Sequence, residues 1–247
     1  MMLSIIFILI LLFMFTWYKE PRIFLLIFHR IAFPIRKGNA LHIDKNLNFA
    51  GSVLLENNWA IIYEELKALL EVSKPFPKFH EVDKSNNKIS FDYGPAWRTL
   101  VLKAYDGWFT YNCKMFPLTC KMLDALPEIS TVMFSILEPH VEIPPHTGKF
   151  SGIWRYHLAL LVPAGDGCFI EVNGERYFWT EGEGILFNDT YLHSVTNNTD
   201  EYRIVLFLDI TKHCPYFANK INKLILYLIR ISPVFKRAQR TGIINEI

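Results

Sequence analysis

The spacing of hydrophobic residues changes character several times along the chain. Met1 to Tyr18 carries no charge, and after a short charged break Ile23 to Phe28 is apolar again. Eighteen uncharged residues sit at the lower limit for crossing a bilayer. A cleaved signal peptide is the competing reading, but neither a basic start nor a small-residue cleavage site is visible. The run therefore predicts a retained membrane anchor. His29 to Ala40, polar and punctuated by Pro and Gly, reads as an exit into a folded domain. From Ser52 to Glu71, Leu55, Trp59, Ile62, Leu66 and Leu69 recur at three- and four-residue spacing, which predicts an amphipathic helix with a core-facing stripe. Lys74 to Asn87 reads as a loop. Short strands are expected at Trp97 to Tyr105 and Trp108 to Tyr111, and a helix at Pro117 to Leu126, stopped by Pro127.

From Val132 onward the period becomes two. In RYHLALLV, Arg155, His157, Ala159 and Leu161 share one face, and Tyr156, Leu158, Leu160 and Val162 the other. Phe169 to Val172 and Glu175 to Trp179 flank Asn173-Gly174, a two-residue hairpin signal. In YRIVLFLDI, Arg203 shares a face with Val205, Phe207 and Asp209. Many short strands separated by turn signals predict a sandwich or barrel, and no internal repeat is present. The tail turns helical again: Ile221, Leu224, Ile225, Leu228 and Ile229 fall on one side of a basic segment from Lys220 to Arg240. That pattern fits a helix lying on a membrane surface or one docked on the domain.

Composition sharpens this division. The chain has 247 residues, 51% of them hydrophobic, and a net charge of +2 that hides an asymmetry. Residues 1–40 sum to +4, residues 41–210 to −8 and residues 211–247 to +6. Basic ends beside apolar runs point to an anionic membrane surface as partner and away from nucleic acid. The positive-inside rule then places Lys19, Arg22, Arg30, Arg36 and Lys37, with the domain behind them, in the cytoplasm. The expected localisation is thus a single N-terminal span with a cytoplasmic catalytic domain. The four cysteines show no metal-type spacing and would stay reduced there.

The candidate chemistry lies between His146 and Asp209. His146 and His193 each sit beside a strand-like run, and Arg203 follows the second by ten residues. Imidazoles on neighbouring strands suit iron, zinc or copper. The usual two-His, one-carboxylate site would place its acid two residues after His146, where Gly148 stands. From spacing alone, a surface or hydrogen-bonded histidine is the commoner reading. An arginine facing a barrel interior needs an anionic partner. A ligand carboxylate and a structural pair with Asp209 both meet that need.

A family resemblance bears on these alternatives. CKMFPLT (Cys113 to Thr119), FSILEPHVEIPPHTG (Phe134 to Gly148), WRYHL (Trp154 to Leu158), NDTYLHSV (Asn188 to Val195) and Arg203 resemble the aspartyl/asparaginyl β-hydroxylase family of iron(II)- and 2-oxoglutarate-dependent oxygenases. The resemblance implies a mainly β fold, a double-stranded β-helix (jelly-roll) barrel with flanking helices behind the membrane anchor. It divides the chain into an anchor at 1–35, an oxygenase domain at 36–212 and a basic amphipathic tail at 213–247. It also makes Gly148 no defect, since this family holds Fe(II) with two histidines and water in place of the carboxylate. By the same resemblance His146 and His193 are the metal ligands. Arg203 and Ser135 bind the distal carboxylate of the cosubstrate 2-oxoglutarate, and Arg155 and His157 lie near its metal-binding end. The implied activity is hydroxylation of a C–H bond with O2. The anchored layout is similar to the lipid A acyl-chain hydroxylases, which implies a lipid acyl chain as substrate. A peptidyl aspartate/asparagine hydroxylase and a non-catalytic, membrane-tethered binding barrel are the alternatives.

Overall fold

The computed structural model describes residues 40–71, 75–82, 90, 96–148, 150–213, 216–232, 235–236 and 239–240. The expected anchor, 1–35, lies outside them. Among the described residues no helix is long and apolar enough to cross a membrane. The expected localisation, a single N-terminal span with the domain in the cytoplasm, is corrected on that finding and is not carried further.

Among the described residues, ten strands build two antiparallel sheets. In chain order they are β1 (Trp97–Ala104), β2 (Gly107–Trp108), β3 (Ile129–Leu137), β4 (Val141–His146), β5 (Ile153–Leu161), β6 (Cys168–Val172), β7 (Glu175–Tyr177), β8 (Gly184–Phe187), β9 (His193–Asn197) and β10 (Arg203–Thr211). One sheet runs β2-β1-β3-β10-β5-β8, the other β4-β9-β6-β7. From β3 to β10 the chain crosses between the two sheets at every connection except the β6–β7 hairpin, so β3-β10-β5-β8 faces β4-β9-β6-β7 in the double-sheet order of a jelly roll. The Asn173-Gly174 turn joins β6 to β7 with both residues at positive φ, 53° and 82°, as a tight primed turn requires.

Alternation along the large sheet creates two cores. Outward-facing Leu100, Leu102, Phe134, Ile136, Tyr156, Leu158, Leu206 and Leu208 pack against helices. These are α2 (Ser52–Asn57), α3 (Trp59–Leu70) and α6 (Pro117–Asp124), which supply Leu55, Ile62, Leu66, Leu69 and Leu123. Inward-facing Trp97, Val101, Met133, Ala159, Ile185, Phe187, Val205 and Phe207 meet Ile143, Ile170, Val172 and Val195 of the small sheet. The helical layer is fastened at polar points. Glu56 of α2 accepts from the buried Tyr156 hydroxyl at 2.8 Å and from Lys45 of α1 (Lys45–Asn48) at 2.6 Å. Gly184 of β8 leaves room for that tyrosine, because a Cβ there would overlap its hydroxyl. Glu65 of α3 caps α6, accepting from the backbone N–H groups of Leu118 and Thr119 and from the Thr119 hydroxyl.

Four local expectations need adjusting. The helix from Ser52 breaks at Asn58 into α2 and α3, the Asn58 side chain bonding back to the Leu54 carbonyl. Past Trp108 the chain turns into α5 (Thr110–Cys113) rather than continuing as a strand, and its buried Asn112 side chain donates to Val101 O. The expected loop at 74–87 contains a short helix, α4 (Phe79–Val82), with the Lys78 N–H and the Glu81 carboxylate hydrogen-bonded across its start. A register shift opposite Ile204 and Val205 also changes the parity of β5, so Leu161 joins the outer cluster instead of following Ala159 inward.

The tail helix, α7 (Tyr216–Ile231), buries Asn222, Ile225, Leu226 and Ile229 on the domain. Leu224, expected on the apolar side, is exposed. The stripe is rotated because the polar Asn222 belongs to it.

Candidate functional site

The site lies at one end of the barrel, where β4 ends and β9 begins. His146 and His193 are direct register partners across these strands, which sets their Cβ atoms about 5 Å apart. Their ring centroids are 4.2 Å apart at 52°. Each Nδ1 is 2.8–2.9 Å from the backbone carbonyl two residues earlier, Pro144 O for His146 and Tyr191 O for His193. A carbonyl accepts only, so Nδ1 carries the proton and Nε2 keeps its lone pair. Burial pulls the His193 pKa down to about 4, with His146 adding to the effect. Burial lowers His146 as well. Both rings are therefore neutral near pH 7, the form in which imidazole binds a metal.

Gly148 has a packing reason. A Cβ there would overlap the Asp189 carboxylate, and the Gly148 N–H donates to Asp189 O at 2.7 Å. The side chain of the β8–β9 loop thus fills the space a residue at 148 would occupy. Among the described residues no His, Cys, Asp or Glu completes a three-membered metal-holding group with the two histidines.

Inside the mouth the large sheet presents a ladder of polar groups. Arg155 is opposite Asp209 and Phe187, and His157 is opposite Phe207 and Ile185. Arg155 pairs with Asp189 and Asp209, each at 2.8 Å, and its guanidinium lies 4.1 Å from the Phe207 ring centre. Burial opposes the charge on Arg155, but the two carboxylates more than offset it and raise the pKa. Burial lifts the Asp209 carboxyl above the usual carboxylate range, against the pull of Arg155. Asp209 is thus the partner of Arg155, and Arg203, six residues away on the same strand, is left without it.

Arg203 is 1% exposed. Its Nη1 donates to the Ser135 carbonyl at 3.2 Å and to the Ser135 hydroxyl at 3.3 Å, and its guanidinium sits 5.0 Å from the Trp179 ring centre. Burial pushes its pKa down to about 10. Among the described residues no carboxylate pairs with it. His157 is equally buried, held among Trp179, Phe187 and Phe207, and its pKa falls well below the ordinary value through burial and the nearby Arg203 and Arg155. Four buried nitrogens here lack a hydrogen-bond partner: Arg203 Nε, both ring nitrogens of His157 and Trp179 Nε1. Leaving a buried polar group unpaired costs about 1–3 kcal/mol, more for a charge. An anion with several acceptor oxygens would satisfy such a set of groups.

The sequence-predicted residues thus fall into one place, with His146, His193 and Arg155 at the mouth and His157, Ser135 and Arg203 below. The neighbouring His140 lies apart from them. It lies before the start of β4, at the far end from His146, and contacts Asp200 at 2.9 Å. Sequence reasoning missed two walls. Trp179 covers both Arg203 and His157. Trp97 donates its indole N–H to the Ser135 hydroxyl at 2.9 Å, leaving that oxygen oriented toward Arg203. The inward parity of Trp97 with Thr99 and Val101 was the available signal.

Comparison with known proteins bears on the family. The ornithine lipid ester-linked acyl 2-hydroxylase of Rhizobium tropici is 32% identical over 189 residues, 76% of this chain and 66% of that protein. The human aspartyl/asparaginyl beta-hydroxylase is 28% identical over 162 residues, 63% of this chain but 20% of that protein. The chain therefore spans just under two thirds of the first relative and a fifth of the second. A solved Cupin 2 conserved barrel domain protein from Salinispora arenicola overlays 52% of this chain and 83% of its own at 14% identity, with a TM-score of 0.32. At that score the fold rests on the strand order and not on the overlay. The family model for aspartyl/asparaginyl beta-hydroxylases matches residues 56–213, which span every strand of the barrel and all the polar groups just described, and the chain belongs to that family.

Proposed function

We propose that the protein is an Fe(II)- and 2-oxoglutarate-dependent hydroxylase acting on a C–H bond of a lipid acyl chain, with residues 36–212 as its catalytic unit. The observation that carries this reading is Arg203, a fully buried cation with no acid beside it among the described residues, inside a barrel whose end holds two neutral histidines. His146 and His193 would hold the iron through Nε2, and the metal when bound supplies the activation of O2. Arg203 and Ser135 bind and orient the distal carboxylate of 2-oxoglutarate, the guanidinium fork offering a charge-assisted pair. Arg155 and His157 flank the other end of the cosubstrate. Trp179, Phe187 and Phe207 keep water from these contacts, which strengthens them.

The choice of substrate rests on two supports. The Rhizobium tropici relative, whose name specifies an ester-linked acyl chain, covers more of this chain than the human protein does. In addition, the guanidinium at the mouth is already shared by two carboxylates, Asp189 and Asp209. An acyl chain needs no cation there, whereas an aspartyl side chain would find this one already paired.

The test pairs two assays. Purified protein with Fe(II) should convert labelled 2-oxoglutarate to succinate. Lipids from cells with and without the protein should differ by one oxygen on an acyl chain. Identical lipids together with turnover of an Asp- or Asn-containing peptide would establish the peptide reading instead.

A further inference from the structure

The loop 147–152 joins His146, the last residue of β4, to β5, which carries Arg155 and His157. It is tied at both ends. Near its start the Gly148 N–H donates to Asp189 O at 2.7 Å. At its end the Gly152 carbonyl accepts from Lys212 N at 3.0 Å and from the side-chain amide of Asn222 at 3.0 Å. Asn222 is fully buried, belongs to α7 and lies seventy residues away in sequence. The approach depends on glycine, because a Cβ on residue 152 would stand 2.8 Å from Asn222 Oδ1 and 3.0 Å from Nδ2.

The same segment holds a second piece of the mouth. Beyond Asn222, Arg230 Nη1 donates to Asp106 O at 3.4 Å. Phe235 then packs edge-on to Tyr105 and Phe109, and a Cβ on Gly107 would come within 2.6 Å of its ring. These partners form the β1–β2 turn, which register places at the mouth, since Lys103 is opposite Val132 and Asp209 opposite Thr131. From Asn222 to Phe235 the segment therefore bridges the ligand loop and the turn beside it. It lies wholly past residue 213, where the family match ends.

We infer that Asn222 is a positioning residue for His146, acting through Gly152 to fix the loop that sets the histidine pair. This inference rests on the reading of His146 and His193 as the metal-holding pair. An amide donor deep in an otherwise apolar helix face is a poor choice for stability alone, and its partner is the carbonyl that closes the ligand loop.

The experiment titrates the full-length protein with Mn(II) alone and follows hydrogen exchange of the 147–152 amides. Asn222→Leu removes the donor at similar volume. Asn222→Ala removes the donor without adding bulk, and it carries the test if the leucine variant does not fold. Gly152→Ala displaces the amide from the other side. Each should weaken Mn(II) binding by about tenfold, the lower end of what outer partners of a ligand contribute. Each should also raise exchange at 147–152, and Asn222→Leu combined with Gly152→Ala should lose little more than either alone. Ile229→Ala, on the buried face of the same helix, should lower Tm and leave the affinity unchanged. Asn222 variants that lower Tm as Ile229→Ala does, with wild-type affinity, would overturn the inference and leave the proposed function standing. A wild-type protein that binds no Mn(II) would overturn both.

Discussion

Val205 and Leu206 are neighbours on β10, yet they enter different cores. Leu206 joins the layer between the large sheet and the helices, where the residues are apolar and the buried Tyr156 hydroxyl has its acceptor in Glu56. Val205 joins the barrel interior, where the same strands present Ser135, Arg155, His157, Arg203 and Asp209. Among the described residues the outer layer leaves only a neutral hydroxyl, that of Ser52, without a partner. The inner core leaves four nitrogens without a partner, one of them on a cation. Such groups oppose folding, so the contrast separates residues that hold the barrel together from residues kept for something that enters it.

Four experiments probe that contrast. The largest effect belongs to the histidines: His146→Ala or His193→Ala should bring 2-oxoglutarate turnover to background while Tm changes little. Wild-type turnover in either variant removes that residue from the metal site. In the outer core, Leu66→Ala should cost about 2–5 kcal/mol in chemical denaturation, as large-to-small core changes do. Its affinity for 2-oxoglutarate should stay as in the wild type. Arg203→Met should behave in the opposite way. Losing charge-assisted hydrogen bonds should weaken 2-oxoglutarate binding by about 1.5–3 kcal/mol, tenfold to a hundredfold. The ligand-free protein should be no less stable, because a buried unpaired charge is gone. The last effect is one of pH. The folded His193 pKa, about 4, is below the ordinary 6.5, so the unfolded chain binds more protons between these values. Stability of the metal-free protein should be full above about 6.5 and decline as pH falls toward 4. His193→Asn should flatten that decline, and an unchanged profile would remove His193 as its cause.

Much of the contrast was legible in the sequence because period-two alternation separates Arg155 and His157 from Tyr156 and Leu158, and Arg203 from Ile204. Asn173-Gly174 marked its turn for the steric reason that both residues take positive φ. What could not be read depends on contacts between distant segments. The β5 register shift inverts Leu161, and pairing with β10 sets it, not local sequence. Asp189 standing in the space beside Gly148 needs two loops to meet, although the glycine itself was visible as an anomaly. Trp97 and Trp179 look like any core aromatic until Ser135 and Arg203 are placed beside them. In the tail, an apolar count selected Leu224, while the buried stripe was centred on a polar residue, Asn222, whose partner lies across the molecule.

The most direct test of the account is whether the inner core is built to receive a dicarboxylate. Calorimetric titration of the full-length protein with 2-oxoglutarate, under anaerobic conditions with Fe(II), should give saturable binding with one ligand per chain. Arg203→Met should weaken it tenfold or more, and Leu66→Ala should leave it unchanged. Binding that is absent in the wild-type protein, or as strong in Arg203→Met as in the wild type, would contradict the account.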